Sequence, residues 1–384
     1  MRILKASIYL ISTGGFRFPI VELSTDIGIK GVGEAALGFG VGAEASVTMI
    51  KELTQNFVIG KSPLEINKIW NNFYYDTFWG KGAGPIFYGA VSALEIALWD
   101  IKGKVFNMPV YEFLGGKMRG EIQCYANDWS FDGLDPKGTA KRAEEVRNDG
   151  YDALKLYPLG GRGGKNSVNK HFLLREVKKD DEKECVKKVA EVRKAIGDDA
   201  DMLVDVTAEG TPDIMIRIGK AIEEYSPYFY EEPLDMFDID SYRFLKNKVN
   251  IPIAAGERLY TRYSFKRLIE NRCVDIVQPD PGICGGIFEA YKIASMAEAY
   301  QMRTAPHNAG GPVLMAANVQ LSATLSNFAM LEVFPYRTQL HYDIVQEALD
   351  KKIKNGRLNV PEMPGIGVEL NHKVIDNFEI VRVE

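Results

Sequence analysis

Asp205, Glu231 and Glu257 each follow a short apolar run, and 26 residues separate each acid from the next. The runs are Met202-Leu203-Val204, Tyr228-Phe229-Tyr230 and Ile253-Ala254-Ala255-Gly256. A (β/α)8 barrel spends roughly 30 residues on each strand and its helix, and keeps its functional side chains at the C-terminal ends of the strands. Acids repeating at this interval fall on one rim. Each alone would read as a surface carboxylate after a strand, but the runs before them are too apolar for exposed loops. Three converging carboxylates repel one another without a counterion, and oxygen ligands suit a hard divalent cation such as Mg²⁺. The series predicts a metal site.

The interval continues with Asp280, 23 residues on, after Ile276-Val277-Gln278-Pro279, and with His307, 27 further, after Thr304-Ala305-Pro306. Alone they would be a turn former and a loop histidine. On neighbouring strand ends the carboxylate would fix the tautomer of the ring and stabilise its cation, which makes a general base. Lys155 lies in the apolar run Ala153-Leu154-Lys155-Leu156-Tyr157, where an unpaired ammonium is costly. It calls for anionic company, the alternative being a lysine snorkelling from a strand edge. Glu332 closes Phe328-Ala329-Met330-Leu331 under the same argument, with a structural ion pair as its other reading.

Neighbouring residues have plainer readings. Arg258, beside Glu257, either clamps a substrate carboxylate or makes a structural ion pair. Glu232 points away from Glu231 by strand alternation and supports the ligand from behind. Gly282-Ile283-Cys284-Gly285-Gly286 lacks the G-x-G-x-x-G pattern or Walker lysine of a phosphate loop, and reads as a tight turn from strand to helix. His171, His341 and His372 have no partner pattern.

At 384 residues, with 46% hydrophobic and 26% charged residues, the chain has room for two domains and a large core. A net charge of −5 without a basic patch argues against a nucleic-acid partner. Cys124, Cys185, Cys273 and Cys284 have no C-x-x-C spacing and fit reduced thiols in the cytoplasm. No apolar run approaches a membrane span. Strand patterns over 3–11, 19–24 and 30–35 predict an N-terminal antiparallel sheet. Helical patterns follow over 45–57, 63–75 and 86–104, the last burying Ala93, Leu94, Ala97 and Trp99 on one side. Gly115-Gly116 marks a break, and 122–126 is expected to be the first barrel strand.

In this order, several segments are specific: Gly31-Val32-Gly33-Glu34-Ala35, Ala93-Leu94-Glu95-Ile96-Ala97-Leu98-Trp99-Asp100, Glu231-Glu232-Pro233, Gly256-Glu257-Arg258, Gln278-Pro279-Asp280, Ala305-Pro306-His307-Asn308 and Val360-Pro361-Glu362-Met363-Pro364-Gly365. Over nearly its whole length the chain resembles the enolase superfamily, and within it the mandelate racemase group, especially the acid-sugar dehydratases acting on gluconate and galactonate. The resemblance implies an α+β capping domain over residues 1–118, completed by about 370–384, and a modified (β/α)7β TIM barrel over 119–369.

It also implies one Mg²⁺ held by Asp205, Glu231 and Glu257, with Lys155 and Glu332 against the substrate carboxylate. His307, oriented by Asp280, would take the proton next to that carboxylate. Glu332 would hydrogen-bond the other carboxylate oxygen if protonated. Loss of a β-hydroxyl would then give a 2-keto-3-deoxy acid. Racemases of the group carry a Lys-x-Lys pair, but here the pair reads Lys155-Leu156-Tyr157, and Tyr157 would serve as a base only with a much depressed pKa. One base is favoured, matching acids of R configuration at carbon 2. Thr207 stands where some relatives have a histidine that protonates the leaving hydroxyl, so that acid is His307 itself or Tyr157.

The long interval from Lys155 to Asp205 places extra chain in the glycine-rich run 159–171, expected with Arg162 over the barrel mouth. Gly14-Gly15-Phe16-Arg17-Phe18 and Phe78-Trp79-Gly80-Lys81-Gly82 are expected to close over the same mouth, with Phe16 and Trp79 as domain-seam residues in the alternative. A symmetric homo-oligomer is expected. Two other functional classes stay open: a racemase, epimerase or cycloisomerase using the same enediolate, and a non-catalytic metal-binding protein that retains the fold.

Overall fold

The structure, a computed structural model, describes residues 1–130, 134–159, 177–208 and 210–384. The glycine-rich run from residue 160, with Arg162 and His171, lies outside them.

Alternating apolar residues near the N-terminus build β1 (Ile3–Thr13), β2 (Phe16–Thr25) and β3 (Lys30–Glu34), an antiparallel sheet. Gly14 and Gly15 join the first two strands with φ of 58° and 85°, the positive angles that a two-residue hairpin needs. The helices α1 (Ala43–Leu53), α2 (Ile66–Tyr75) and α3 (Pro85–Phe106) follow, then a single turn α4 (Val110–Phe113). The one-sided burial expected of α3 is not what is found. It packs on β3, α1 and the barrel together, so Ser92, Glu95 and Asp100 are buried along with the apolar residues. A Cβ on Gly31 or Gly33 would stand 2.3 Å from the Ala97 carbonyl oxygen or 1.9 Å from that of Ala93, so only glycine lets β3 approach this helix.

Strand and helix then alternate. The first units are β4 (Glu121–Ala126), α5 (Pro136–Asn148), β5 (Ala153–Leu156), α6 (Lys179–Ile196), β6 (Asp201–Asp205) and α7 (Pro212–Ile222). Next come β7 (Phe229–Glu231), α8 (Ile239–Lys246), β8 (Ile253–Ala255), α9 (Thr261–Glu270), β9 (Ile276–Val277) and α10 (Ile287–Ala299). The last are β10 (Arg303–Thr304), α11 (Pro312–Thr324) and β11 (Leu331–Val333). Proline opens α5, α7 and α11, where its missing N–H costs nothing.

Strands β4 to β10 pair in parallel in chain order, and β11 pairs beside β4. The Thr304 amide donates to the Asn327 carbonyl and the Ala329 amide to that of Thr304, so the run into β11 closes the ring. The result is a (β/α)7β barrel. After it come α12 (Gln339–Asp343), β12 (Arg357–Asn359), which pairs antiparallel with β4, and α13 (His372–Ile375). The final strand β13 (Glu379–Val383) returns to the N-terminal sheet beside β1.

One buried side chain from each strand or its immediate extension plugs the barrel: Tyr125, Ala153, Leu203, Phe229, Ala254, Ile276, Ala305 and Met330. Side chains two apart on a strand share a face. One step further toward the C-terminal rim, that face presents Asn127, Lys155, Asp205, Glu231, Gln278, His307 and Glu332. Among the described residues no helix is long and apolar enough to cross a membrane.

Candidate active site

The plug explains why polar groups converge above it. Asp205 and Glu231 end adjacent strands and are partners in register. Glu257 lies three residues beyond Ala254, the wrong parity for this face. Gly256 has φ 136°, a conformation that disfavours any other residue, and a Cβ there would strike the Phe265 ring at 2.6 Å. The turn at Gly256 brings Glu257 to the other two acids. One carboxylate oxygen from each of Asp205, Glu231 and Glu257 lies within 4.8 Å of the others.

Lys155 is fully buried among acids, with Nζ 2.7 Å from Glu332 Oε1, 2.9 Å from Glu231 Oε1 and 3.3 Å from Asp205 Oδ2. The other oxygen of Glu231, Oε2, is buried with no hydrogen-bond donor on it. Burial without a donor is expensive for a carboxylate oxygen. Burial pushes Asp205 up to about 6 against the pull of Lys155, and Glu231 well above its ordinary range. Burial also acts upward on Glu257, but the His307 and Arg258 cations outweigh it and hold that carboxyl low. An all-oxygen set with an orphaned acceptor and one lysine for four acids fits a hard divalent cation.

His307 and Asp280 meet as expected, with His307 Nδ1 2.7 Å from Asp280 Oδ2, while the Gly282 amide donates to Asp280 Oδ1 at 2.7 Å. The other ring nitrogen, Nε2, faces Glu257 Oε2 at 3.4 Å and Glu332 Oε2 at 3.8 Å. Burial pulls the imidazolium down, but Glu257, Glu332 and Asp280 outweigh it and raise His307 to about 10.

Glu332 accepts from Lys155 and from Asn127 Nδ2, the latter at 2.6 Å, on one oxygen, and from the Asn308 amide at 3.1 Å on the other. Asn127 was not singled out by sequence reasoning. It follows the first barrel strand, where an asparagine reads as an ordinary turn residue, and only its register with Lys155 and Glu332 marks it. Its Nδ2 also donates to the Tyr157 hydroxyl at 3.1 Å. Burial raises the Tyr157 phenol well above its usual range despite Lys155 nearby. A base role for Tyr157 needs the opposite direction, which agrees with the one-base reading of the sequence.

Arg258 pairs with Glu232 at close range and lies 3.7 Å from Glu257 through Nε. Glu232 is buried, with φ 39°, and its carboxylate faces the guanidinium. A cavity of about 200 Å³ opens above these groups, lined by Asn127, Tyr157, Asp205, Thr207, Glu257, Arg258 and His307 from the barrel and by Phe16, Ala36 and Phe39 from the N-terminal part. Phe16 thus reaches the mouth. Phe78 and Trp79 are 80% and 76% exposed and do not line the cavity, so the expected second lid loop stands away from it, and Trp79 is not packed at a seam. All four cysteines are buried and free. Gly282 to Gly286 forms the turn between β9 and α10.

Comparison with known proteins agrees with this geometry. Residues 7–115 match the mandelate racemase / muconate lactonizing enzyme N-terminal domain, and residues 138–374 match the enolase C-terminal domain-like family. The chain is 31% identical to D-galactonate dehydratase of Ralstonia nicotianae, over 98% of this chain and 94% of that one. It is 31% identical to D-xylonate dehydratase of Haloferax volcanii, over 94% of this chain and 85% of that one. D-gluconate dehydratase of Thermoproteus tenax is 35% identical over 86% of this chain, which spans 64% of that relative's length. A solved member of the enolase superfamily from Salmonella Typhimurium superposes with a TM-score of 0.93 at 33% identity, covering 100% of both chains. A mandelate racemase/muconate lactonizing enzyme from Jannaschia sp. CCS1 gives 0.88 at 30% identity over 99% of this chain and 98% of that one.

The chain belongs to the enolase superfamily, in its mandelate racemase / muconate lactonizing enzyme group. Within that group its dehydratase relatives make it a hydro-lyase of the acid-sugar dehydratase kind.

Proposed function

We propose that the protein is a Mg²⁺-dependent dehydratase that converts an aldonate such as D-gluconate, D-galactonate or D-xylonate into its 2-keto-3-deoxy acid. The observation that carries this reading is the single cavity bordered by both Asp205 and Glu257 and by the ring of His307, which Asp280 holds from outside. The proton beside a carboxylate is very weakly acidic, so its removal needs strong stabilisation of the charge that develops on the carboxylate. Lys155 supplies one fixed positive charge, and Asp205, Glu231 and Glu257 would hold the cation. When bound, Mg²⁺ supplies further positive charge against the substrate carboxylate and offsets the negative field that keeps the His307 ring protonated.

His307 then takes the proton from carbon 2 through Nε2, while Asp280 stabilises the ring cation through Nδ1. The hydroxyl leaves carbon 3 with a proton from His307 or from Tyr157, and the resulting enol becomes the 2-keto acid by taking a solvent proton at carbon 3. Arg258 and Thr207, both on the cavity wall, are placed to meet the hydroxyls of the sugar chain. The racemase reading needs a second base opposite His307, and Tyr157, which stands where a Lys-x-Lys pair would put it, is a phenol that burial holds above its usual range, which disfavours that reading. Incubating the protein with Mg²⁺ and each aldonate, and measuring 2-keto-3-deoxy product, tests the proposal. Product from at least one sugar acid, lost on chelation and restored by Mg²⁺, is expected. Absence of product across the aldonates, with carboxylate isomerisation instead, would overturn it.

A further inference from the structure

Two short loops carry the proton-transfer pair, and both are held from the N-terminal part of the chain. Glu34, the last residue of β3, is fully buried. Its carboxylate accepts from the Leu314 amide at 3.0 Å on one oxygen and from the Gly311 amide, at close range, on the other. Both amides belong to the buried N-terminal end of α11, where donors without an intrahelical partner and the helix dipole favour an anion. Gly311 is four residues from His307. Between them Asn308 is pinned on Glu332 by its backbone amide and by its side chain, each at 3.1 Å.

Two residues beyond Glu34, the Ala36 amide donates to the Gly282 carbonyl at 2.9 Å. Gly282 is the residue whose own amide holds Asp280 Oδ1. The contacts are tight. A Cβ on Gly310 would stand 2.9 Å from Glu34 Oε1, one on Gly311 3.0 Å from either oxygen, and one on Gly282 2.9 Å from the Ala36 amide nitrogen. The segment itself cannot drift, because Gly31 and Gly33 seat β3 against α3 without room for a methyl group. Burial pushes the Glu34 carboxyl up to about 8 although the two amides pull it down, so its retention as an acceptor there is costly.

We propose that Glu34 is a positioning residue for the His307–Asp280 pair, holding the loop behind His307 while the adjoining Ala36 amide holds the loop behind Asp280. The inference rests on the proposed role of that pair, and the catalytic geometry depends on docking of the N-terminal sheet as well as on the barrel. A displacement of reacting groups by an ångström can cost up to about 100-fold in rate.

Glu95 supplies the comparison. It is buried in the same seam and accepts from the Ile287 and Phe288 amides at 2.8 and 3.0 Å at the start of α10, the far end of the turn that Gly282 begins, and it makes no hydrogen bond to Gly282, to Asp280 or to the loop behind His307. The experiment compares Glu34→Gln and Glu95→Gln in the Mg²⁺-loaded protein by thermal unfolding, by kcat and KM, and by the Nδ1 proton resonance of His307, identified by its loss in His307→Asn. Expected for Glu34→Gln is a displaced or broadened resonance and a kcat lowered by about 10- to 100-fold with KM nearly kept. Glu95→Gln should lower the unfolding temperature and leave the resonance in place. The resonance is read without turnover, so it tests the positioning role even if no aldonate is dehydrated. If Glu34→Gln does not fold, Glu34→Asp, which withdraws the carboxylate by one methylene, is read in the same way. An unmoved resonance and unchanged kcat in a folded Glu34 variant would overturn the inference, whatever the loss of stability.

Discussion

At the scale of single residues, the site sets five acids, Asp205, Glu231, Glu257, Asp280 and Glu332, against Lys155 and His307 beneath a common cavity. Lys155 is the pivot, touching Asp205, Glu231 and Glu332 at once. Replacing it by methionine leaves those acids facing one another, and breaking a buried ionic group typically costs about 3–5 kcal/mol. Urea unfolding of metal-free Lys155→Met should show a loss of that order, and its turnover should vanish. Asp280→Asn tests the other half. The amide keeps the shape but cannot stabilise the imidazolium, and a fall in kcat of about 10³- to 10⁴-fold with little change in substrate affinity is expected from steady-state kinetics.

These residues were legible because chemistry and spacing coincide: an apolar run, then a charge, every unit of the fold. Asn127 was not, since asparagine after a strand is what any turn would show. Tyr157 shows the same limit: a base role would need a depressed phenol pKa, and burial, which no local pattern reveals, acts upward more strongly than Lys155 acts downward.

At the scale of elements, the notable feature is that helices α10 and α11 receive buried carboxylates from the N-terminal part rather than from their own chain neighbours. Glu95 is pushed up to about 7 by burial, although the Phe288 and Ile287 amides and the Trp99 indole act to lower it. An acid with a raised folded pKa binds more protons folded than unfolded, so its contribution to stability falls as pH rises from its unfolded value near 4.5 toward 7. The stability advantage of the wild type over Glu95→Gln should therefore shrink across that window by up to about 3 kcal/mol. Parallel denaturant titrations at pH 5 and pH 7.5 would read it, and a constant or growing advantage would contradict it.

Sequence periodicity located α1, α2 and α3 but misjudged the last, because a helix trapped between a sheet and a barrel has no solvent face to reveal a stripe. The glycines of β3 were visible only as a motif. Their reason, contact with α3 closer than a methyl group allows, exists only in three dimensions.

At the scale of the whole molecule, the C-terminal strand β13 closes the N-terminal sheet, so the two ends of the chain meet away from the barrel that lies between them in sequence. The cavity of the candidate site takes Phe16, Ala36 and Phe39 from one part and its charged groups from the other. A metal that binds only the folded site stabilises the whole chain by mass action, about 3 kcal/mol at a hundredfold excess over its dissociation constant. Chelation should lower the unfolding temperature, Mg²⁺ should restore it, and Glu231→Gln should abolish most of that difference. The exposed Phe78 and Trp79 show the limit of reading loops by composition, since a glycine-flanked aromatic pair looks the same in sequence whether it covers a mouth or stands in solvent.

The central claim, proton removal from carbon 2 by His307 with loss of the carbon-3 hydroxyl, is tested most directly by turning over an aldonate substrate in D₂O with Mg²⁺ and recording the product by proton NMR. The mechanism predicts a 2-keto-3-deoxy acid carrying one solvent deuterium at carbon 3, formed by the wild type and not by His307→Asn. Full turnover by His307→Asn, or solvent deuterium returned to carbon 2 of unreacted acid with no keto product, would contradict it.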